Sequence, residues 1–249
     1  MIKRHISASL LEALGDNPVV LLHGARQTGK STLTQWLASN QHPSRYLTLD
    51  DAGVLAASQG DPGGFIAALK GPVVIDEIQR APELFMAIKA AVDRDRQPGR
   101  FLLTGSADVM LLPRLSESLA GRMEILTLWP LSQGEIDGIR ESFLDAVFGN
   151  ELPTKIKIRQ DWSGLLARML RGGYPVVQGR LTEDRQKAWF SSYVSAILQR
   201  DVRELASIEG LTLLPRLLSL LAARSTSLLN VSDLSRSVAI PQTTLKRYM

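Results

Sequence analysis

Five short apolar runs punctuate the first part of the chain: Pro18 to His23, Arg45 to Leu49, Pro72 to Ile75, Arg100 to Leu103 and Met123 to Leu128. Each is nearly continuous in apolar character, as strands buried on both faces must be. Between them, apolar residues recur at helical spacing, most clearly over Thr32 to Ala38, Pro82 to Val92 and Leu111 to Leu119. Pro82 suits the first turn of its helix and Gly99 suits a stop. This alternation predicts an α/β domain with a parallel five-stranded sheet.

Beyond residue 150 the strand signals fade. Leu165, Leu166, Met169 and Leu170, then Trp189, Tyr193, Ile197 and Leu198, then Leu213 to Leu221 all repeat at helical spacing. Gly149 to Asp161, with Pro153 and alternating charge, reads as a linker. Asn230 to Tyr248 reads as helix, turn, helix: Leu234 and Val238 face inward, Ile240 fills the turn, Pro241 starts the second helix, and Leu245 and Tyr248 pack back. The pattern divides the chain into an α/β domain over 1–150, a helical region over 151–225 and the start of a further domain over 226–249. There is no internal repeat.

Composition narrows the function classes. The 249 residues, 45% of them hydrophobic, suffice for real cores. Zero cysteine excludes a disulfide scaffold, a thiol nucleophile and a cysteine zinc site, and is compatible with the reducing cytoplasm expected here. No stretch of 18 apolar residues occurs, since the most apolar one, Leu211 to Ala223, is broken by Pro215 and Arg216. No membrane span is expected, and the first residues lack the pattern of a signal peptide. The net charge of +4 hides an asymmetry, with 14 basic and 17 acidic residues up to position 150 against 15 and 8 after it. Contact with a polyanion such as DNA is therefore expected in the C-terminal half; solvated arginine-rich helix faces are the alternative.

The most informative stretch is Gly24-Ala25-Arg26-Gln27-Thr28-Gly29-Lys30-Ser31, followed by Thr32. It matches the phosphate-binding pattern G-x-x-x-x-G-K-[ST] and stands directly between an apolar run and a helical one. Its glycines let backbone N–H groups turn inward onto phosphate oxygens, Lys30 places a charge on the terminal phosphates, and the Ser31 hydroxyl can ligate Mg²⁺. Val73-Val74-Ile75-Asp76-Glu77 is an apolar run ending in two carboxylates. Asp76 is the candidate to hold Mg²⁺ and Glu77 to act as general base on water. Phe101-Leu102-Leu103-Thr104-Gly105-Ser106 ends in hydroxyls instead, making Ser106, or less readily Thr104, a candidate γ-phosphate sensor; capping of the next turn is the alternative.

These residues resemble a prokaryotic family of AAA-type P-loop ATPases, in which an N-terminal ATPase domain precedes helices, a winged-helix segment and a C-terminal nuclease-like domain. Carrying the resemblance are the loop itself, Asp76-Glu77-Ile78-Gln79 with Pro82-Glu83-Leu84-Phe85, Leu103-Thr104-Gly105-Ser106, and Leu119-Ala120-Gly121-Arg122 running into Leu128-Trp129-Pro130-Leu131. Gly172-Gly173-Tyr174-Pro175 and Arg200-Asp201-Val202 fit as well. The resemblance implies ATP as substrate, Mg²⁺ as cofactor, a homo-oligomer, and a winged helix that Met249 interrupts, as in a piece of a longer protein. It also implies Arg122 as the finger that completes a site from a neighbouring subunit or domain, in trans or in cis, the alternative being a structural tie to a carboxylate such as Glu124. For reading the base, the Arg4 to Ile6 region is the candidate.

The expected reaction is Mg²⁺-dependent hydrolysis of ATP to ADP and phosphate. A nucleotide-gated switch with little turnover is the alternative. The outer face of the last helix, with Thr243, Thr244, Lys246 and Arg247, is the side a DNA-reading helix would present, although such folds also bind proteins.

Overall fold

The computed structural model describes residues 2–106, 119, 121–149, 162–198 and 213–248, the side chain of Arg247 excepted. The chain divides into two compact units, Met1–Glu183 and Asp184–Met249.

The first unit is built on strands β1 (Val19–His23), β2 (Arg45–Thr48), β3 (Val73–Asp76), β4 (Phe101–Gly105) and β5 (Met123–Thr127), all parallel, in the order β2-β3-β4-β1-β5. All five apolar runs thus became strands, and their continuous apolarity has a direct cause. Successive side chains of a strand point to opposite faces, and both faces here are covered. Val19, Leu21, Val73, Ile75, Phe101 and Leu103 pack on one side with Leu84, Phe85, Ile88 and Val92 of α5 (Leu84–Arg94). On the other, Val20, Leu22, Val74 and Leu102 meet Leu10 and Leu14 of α1 (Ser7–Asp16) and Leu33 and Leu37 of α2 (Lys30–Asn40).

Between β2 and β3 lie α3 (Ala52–Gly60) and α4 (Pro62–Ala67), neither of which the apolar spacing had indicated. Both are set by capping. The Asp51 side chain accepts from the N–H groups of Gly53 and Val54, and Asp61 accepts from Gly64. Two punctuation readings need correction. Pro82 stands in a turn ahead of α5, which begins two residues later, and the helix ends at Arg94 rather than running to Gly99. Gly99 instead has φ 69° in the turn into β4, where a Cβ would come within 2.8 Å of His42. After β5 come α6 (Gln133–Asp137), α7 (Phe143–Phe148), α8 (Trp162–Arg171) and α9 (Pro175–Gln178).

The second unit is helical, with α10 (Glu183–Ala196) leading in from the boundary, then α11 (Leu214–Ala223), α12 (Val231–Val238) and α13 (Gln242–Tyr248). Leu214, Leu217, Leu234, Val238, Ile240 and Leu245 form its core. Ala239 turns the chain with φ 62°, and Pro241 stands just before α13 rather than inside it. Thr243 and Lys246 are exposed and Thr244 half-buried. No helix among the described residues is long and apolar enough to cross a membrane. The helix read over Leu111 to Leu119, the linker over Gly149 to Asp161, and Arg200-Asp201-Val202 lie outside the described residues, apart from Leu119 and Gly149.

Candidate functional site

Parallel strands bring the C-terminal ends of β1, β3 and β4 to one side of the sheet, so the loop after β1 meets the residues that end the other two. The loop is tightly folded. A Cβ at Gly24 would lie 2.3 Å from the carbonyl oxygen of Leu128, and Gly29 has φ 98°, so both positions require glycine. Gln27 also takes the left-handed region, at φ 62°. Thr28, fully buried, donates its hydroxyl to the Ala25 carbonyl at 3.0 Å and pinches the loop closed.

Lys30 opens α2. Its buried ammonium donates to the carbonyls of Gly24 at 2.9 Å and Ala25 at 3.0 Å. Burial pushes its pKa down, Glu77 and Asp76 pull it back up, and Arg26 adds to the depression. The lysine therefore senses both carboxylates across the strands. Ser31 follows half-buried and Thr32 is exposed.

Asp76 is the last residue of β3 and only 3% exposed. Its two oxygens have separate donors, the Tyr46 hydroxyl at 2.6 Å and the Thr104 hydroxyl. Thr104 in turn accepts the Glu77 N–H at 3.1 Å, so one side chain on β4 positions both acidic residues. Tyr46 was not foreseen. Burial together with the bond to Asp76 pushes its pKa far up. The phenol thus holds one oxygen of Asp76. A tyrosine inside an apolar run carries no spacing signal, and only the strand order brings it there.

Glu77 sits at φ 61°, ψ 44°, a left-handed conformation that costs a residue with a side chain about 1–3 kcal/mol. Its carboxylate accepts from the side-chain amide of Gln79. Ser106, just past β4, is 3% exposed, and among the described residues its hydroxyl has no hydrogen-bond partner.

Arg122 lies elsewhere. Met123 pairs with Val19 and Thr127 with His23, so Arg122 stands at the opposite edge of the sheet from the loop. The intervening strand is roughly 16 Å long. Its Nε donates to Asp93 of α5 at 2.5 Å. Glu124, the carboxylate expected as a structural partner, instead accepts from Asn17 at 2.7 Å.

The loop rests on a second layer that sequence reasoning only half saw. Leu128 donates its N–H to the His23 carbonyl at 2.7 Å, and Leu131 donates to Gly173 at 2.7 Å. Leu128-Trp129-Pro130-Leu131 and Gly172-Gly173-Tyr174-Pro175 are thus one support beneath the loop. Arg4 locks it. Its guanidinium, 6% exposed, donates to the Thr28 carbonyl at 2.8 Å, the Trp129 carbonyl at 2.6 Å and Glu135 at 3.2 Å. These bonds tie Arg4, within the region expected to read the base, to the support beneath the loop. Glu135 went unnoticed, although Ser132-x-x-Glu135 is a capping-box pattern legible in the sequence. Next to Gly29 is a cavity of about 250 Å³, lined mainly by Ile2, Leu33, Leu131 and Pro175 with the Arg4 stem.

The AAA domain family matches residues 16–137, and a family described as a domain of unknown function matches residues 163–249. Uncharacterised proteins of Mycobacterium tuberculosis and Mycobacterium bovis are each 33% identical to this chain over 248 residues, which is 99% of it and 50% of theirs. The chain spans about half the length of these curated relatives. Among solved structures, a Walker-type ATPase of Pyrococcus abyssi shares the fold, with a TM-score of 0.50 at 15% identity, covering 96% of this chain and 89% of that one.

Proposed function

We propose that the chain, whose residues 16–137 match the AAA domain family, acts as an AAA-type P-loop ATPase that binds ATP with Mg²⁺ and hydrolyses it to ADP and phosphate. One observation carries the reading. The loop lysine and the tandem carboxylates converge at one end of the sheet, with Lys30 under the field of Glu77 and Asp76 and with Thr104 holding both acidic residues.

The loop N–H groups and Lys30 bind the phosphates, replacing the two carbonyls on which the ammonium now rests. The Ser31 hydroxyl and the Asp76 carboxylate form a hard-oxygen set suited to Mg²⁺. Tyr46 holds one oxygen of that carboxylate in place. Mg²⁺ when bound would neutralise charge on the phosphates. Glu77 takes the proton of the attacking water, whose oxygen bonds to the γ-phosphorus while the bridging P–O bond breaks and its electron pair leaves with ADP. Ser106, buried with an uncommitted hydroxyl, is the sensor. The apolar cavity beside Gly29 takes the nucleobase.

Arg122 is too far from its own loop to act there, and we read it as the finger for the next copy in a homo-oligomer. In the second unit, α12 and α13 fit the start of a winged helix, with Thr243 and Lys246 facing outward towards DNA. A cytoplasmic setting fits the lack of cysteine.

Equilibrium ATP binding and phosphate release, measured on three proteins, test the hydrolase. Lys30→Ala should lose binding. Glu77→Gln should keep binding and lose turnover by about 10²-fold or more. Tight binding by the unaltered protein with no phosphate release would replace the hydrolase with a nucleotide-gated switch, and Glu77→Gln turning over at the unaltered rate would remove Glu77 as the base.

A further inference from the structure

Glu77 is followed by a short 3₁₀ turn, Ile78–Arg80, that brings Gln79 back beside it. Three restraints fix this turn. Ile78 is fully buried in the core, Arg80 donates its N–H to the Glu77 carbonyl at 3.0 Å, and the Arg80 side chain is paired with Asp50. The Gln79 amide nitrogen then donates to the Glu77 carboxylate.

That contact settles the amide's orientation. A carboxylate only accepts hydrogen bonds, so the NH₂ group must face Glu77, and the reversed amide would set oxygen against oxygen. The carbonyl oxygen of Gln79 is therefore the leftover atom. It is buried and, among the described residues, without a hydrogen-bond partner. An unsatisfied buried acceptor is destabilising and calls for a reason. Glu77 adds a second unexplained cost in its left-handed backbone. Both costs fall on the two residues that present a carboxylate and an amide oxygen side by side.

We propose that Gln79 is a catalytic residue that positions the attacking water together with Glu77. Glu77 accepts one water hydrogen and the Gln79 carbonyl oxygen accepts the other, which turns the water's lone-pair side towards the γ-phosphorus. As the reaction proceeds, the first hydrogen passes to Glu77 as a proton and the second remains on the new phosphate oxygen. The Gln79 amide N–H, bonded to the same carboxylate throughout, keeps Glu77 from rotating away. This inference rests on the reading of Glu77 as the base.

The experiment compares the unaltered protein with Gln79→Leu and Gln79→Asn. It measures kcat, ATP affinity, thermal midpoint and binding of ADP with and without aluminium fluoride, a mimic of the transferring phosphoryl group with its water. Gln79→Leu should lower kcat about 10²-fold, keep ATP affinity within about twofold, and lose the tighter binding that aluminium fluoride gives ADP. Gln79→Asn, which keeps the amide on a shorter stem, should fall between the two and carries the test if the leucine variant does not fold. Unchanged kcat in both variants would overturn the inference while leaving the hydrolase reading intact. A raised kcat would also overturn it, making the amide a restraint on Glu77. An unaltered protein that binds ATP and never releases phosphate would overturn the hydrolase reading and this inference with it.

Discussion

The two edges of the central sheet handle charge in opposite ways. At the edge where β1, β3 and β4 end, Lys30, Asp76 and Thr104 are buried and tied to one another or to backbone. At the opposite edge, Arg122 and Asp93 form an ion pair whose members remain 32% and 42% exposed. The first arrangement fixes geometry, because a buried polar group tolerates no loss of partner. The second contributes little to stability and can be exchanged for another partner at small cost. A group meant to serve a neighbouring copy belongs at the second edge, and a group meant to hold a metal and a base belongs at the first.

Breaking the exposed edge should produce the larger loss of activity. Arg122→Ala should lower turnover about 10³-fold with ATP affinity kept, and mixing it with Lys30→Ala should partly restore activity. A mixture with no recovery, or a normal rate in the variant, would leave Arg122 a surface ion pair. At the buried edge, Thr104→Val strips a donor from Asp76 and an acceptor from the Glu77 N–H. It should cost about 1–3 kcal/mol in urea unfolding and about 10²-fold in turnover, with phosphate release as the measure.

Tyr46→Phe sharpens the comparison by removing the hydroxyl that donates to Asp76. The Mg²⁺ concentration for half-maximal turnover should rise about tenfold, as for a lost outer-shell partner of a ligand, and a magnesium titration would show it. Asp93→Ala should be milder still, within about 1 kcal/mol in stability and near the unaltered turnover, because it removes one partner of Arg122 and leaves the arginine itself in place. Smallest of all, Lys246→Ala should flatten the log-log salt slope of DNA binding by about one unit, followed by fluorescence anisotropy; an unchanged slope would take Lys246 off the DNA.

What the sequence disclosed of all this follows from where the physical signal is written. The central strands β1, β3 and β4 were legible because both their faces are buried, so burial writes itself as an unbroken apolar run. The loop was legible because close approach to Leu128 and the left-handed turn at Gly29 leave glycine alone at two positions. The helices α3 and α4 passed unnoticed since their signal lies in the caps Asp51 and Asp61 rather than in apolar spacing. Tyr46 and Glu135 escaped for another reason. Each acts on residues far away in the chain, Tyr46 on a carboxylate 30 positions on and Glu135 on an arginine 131 positions back. Short-range patterns cannot register such pairs. Thr104 was weighed below Ser106 as a sensor, and its tie to two acidic residues became visible only with the β3-β4 register.

The Arg4 lock also has a meaning in time. Its guanidinium joins the loop to Glu135, and the two residues are made at opposite ends of the α/β domain, 131 positions apart. At a synthesis rate of roughly 5–20 residues per second, Arg4 waits on the order of ten seconds for its partner. A nascent chain therefore carries the complete G-x-x-x-x-G-K-[ST] segment long before it can carry the support beneath it. Completion of the Arg4 lock therefore waits on synthesis of α6, and a ribosome stalled before α6 holds a chain with the right letters and an unlocked loop.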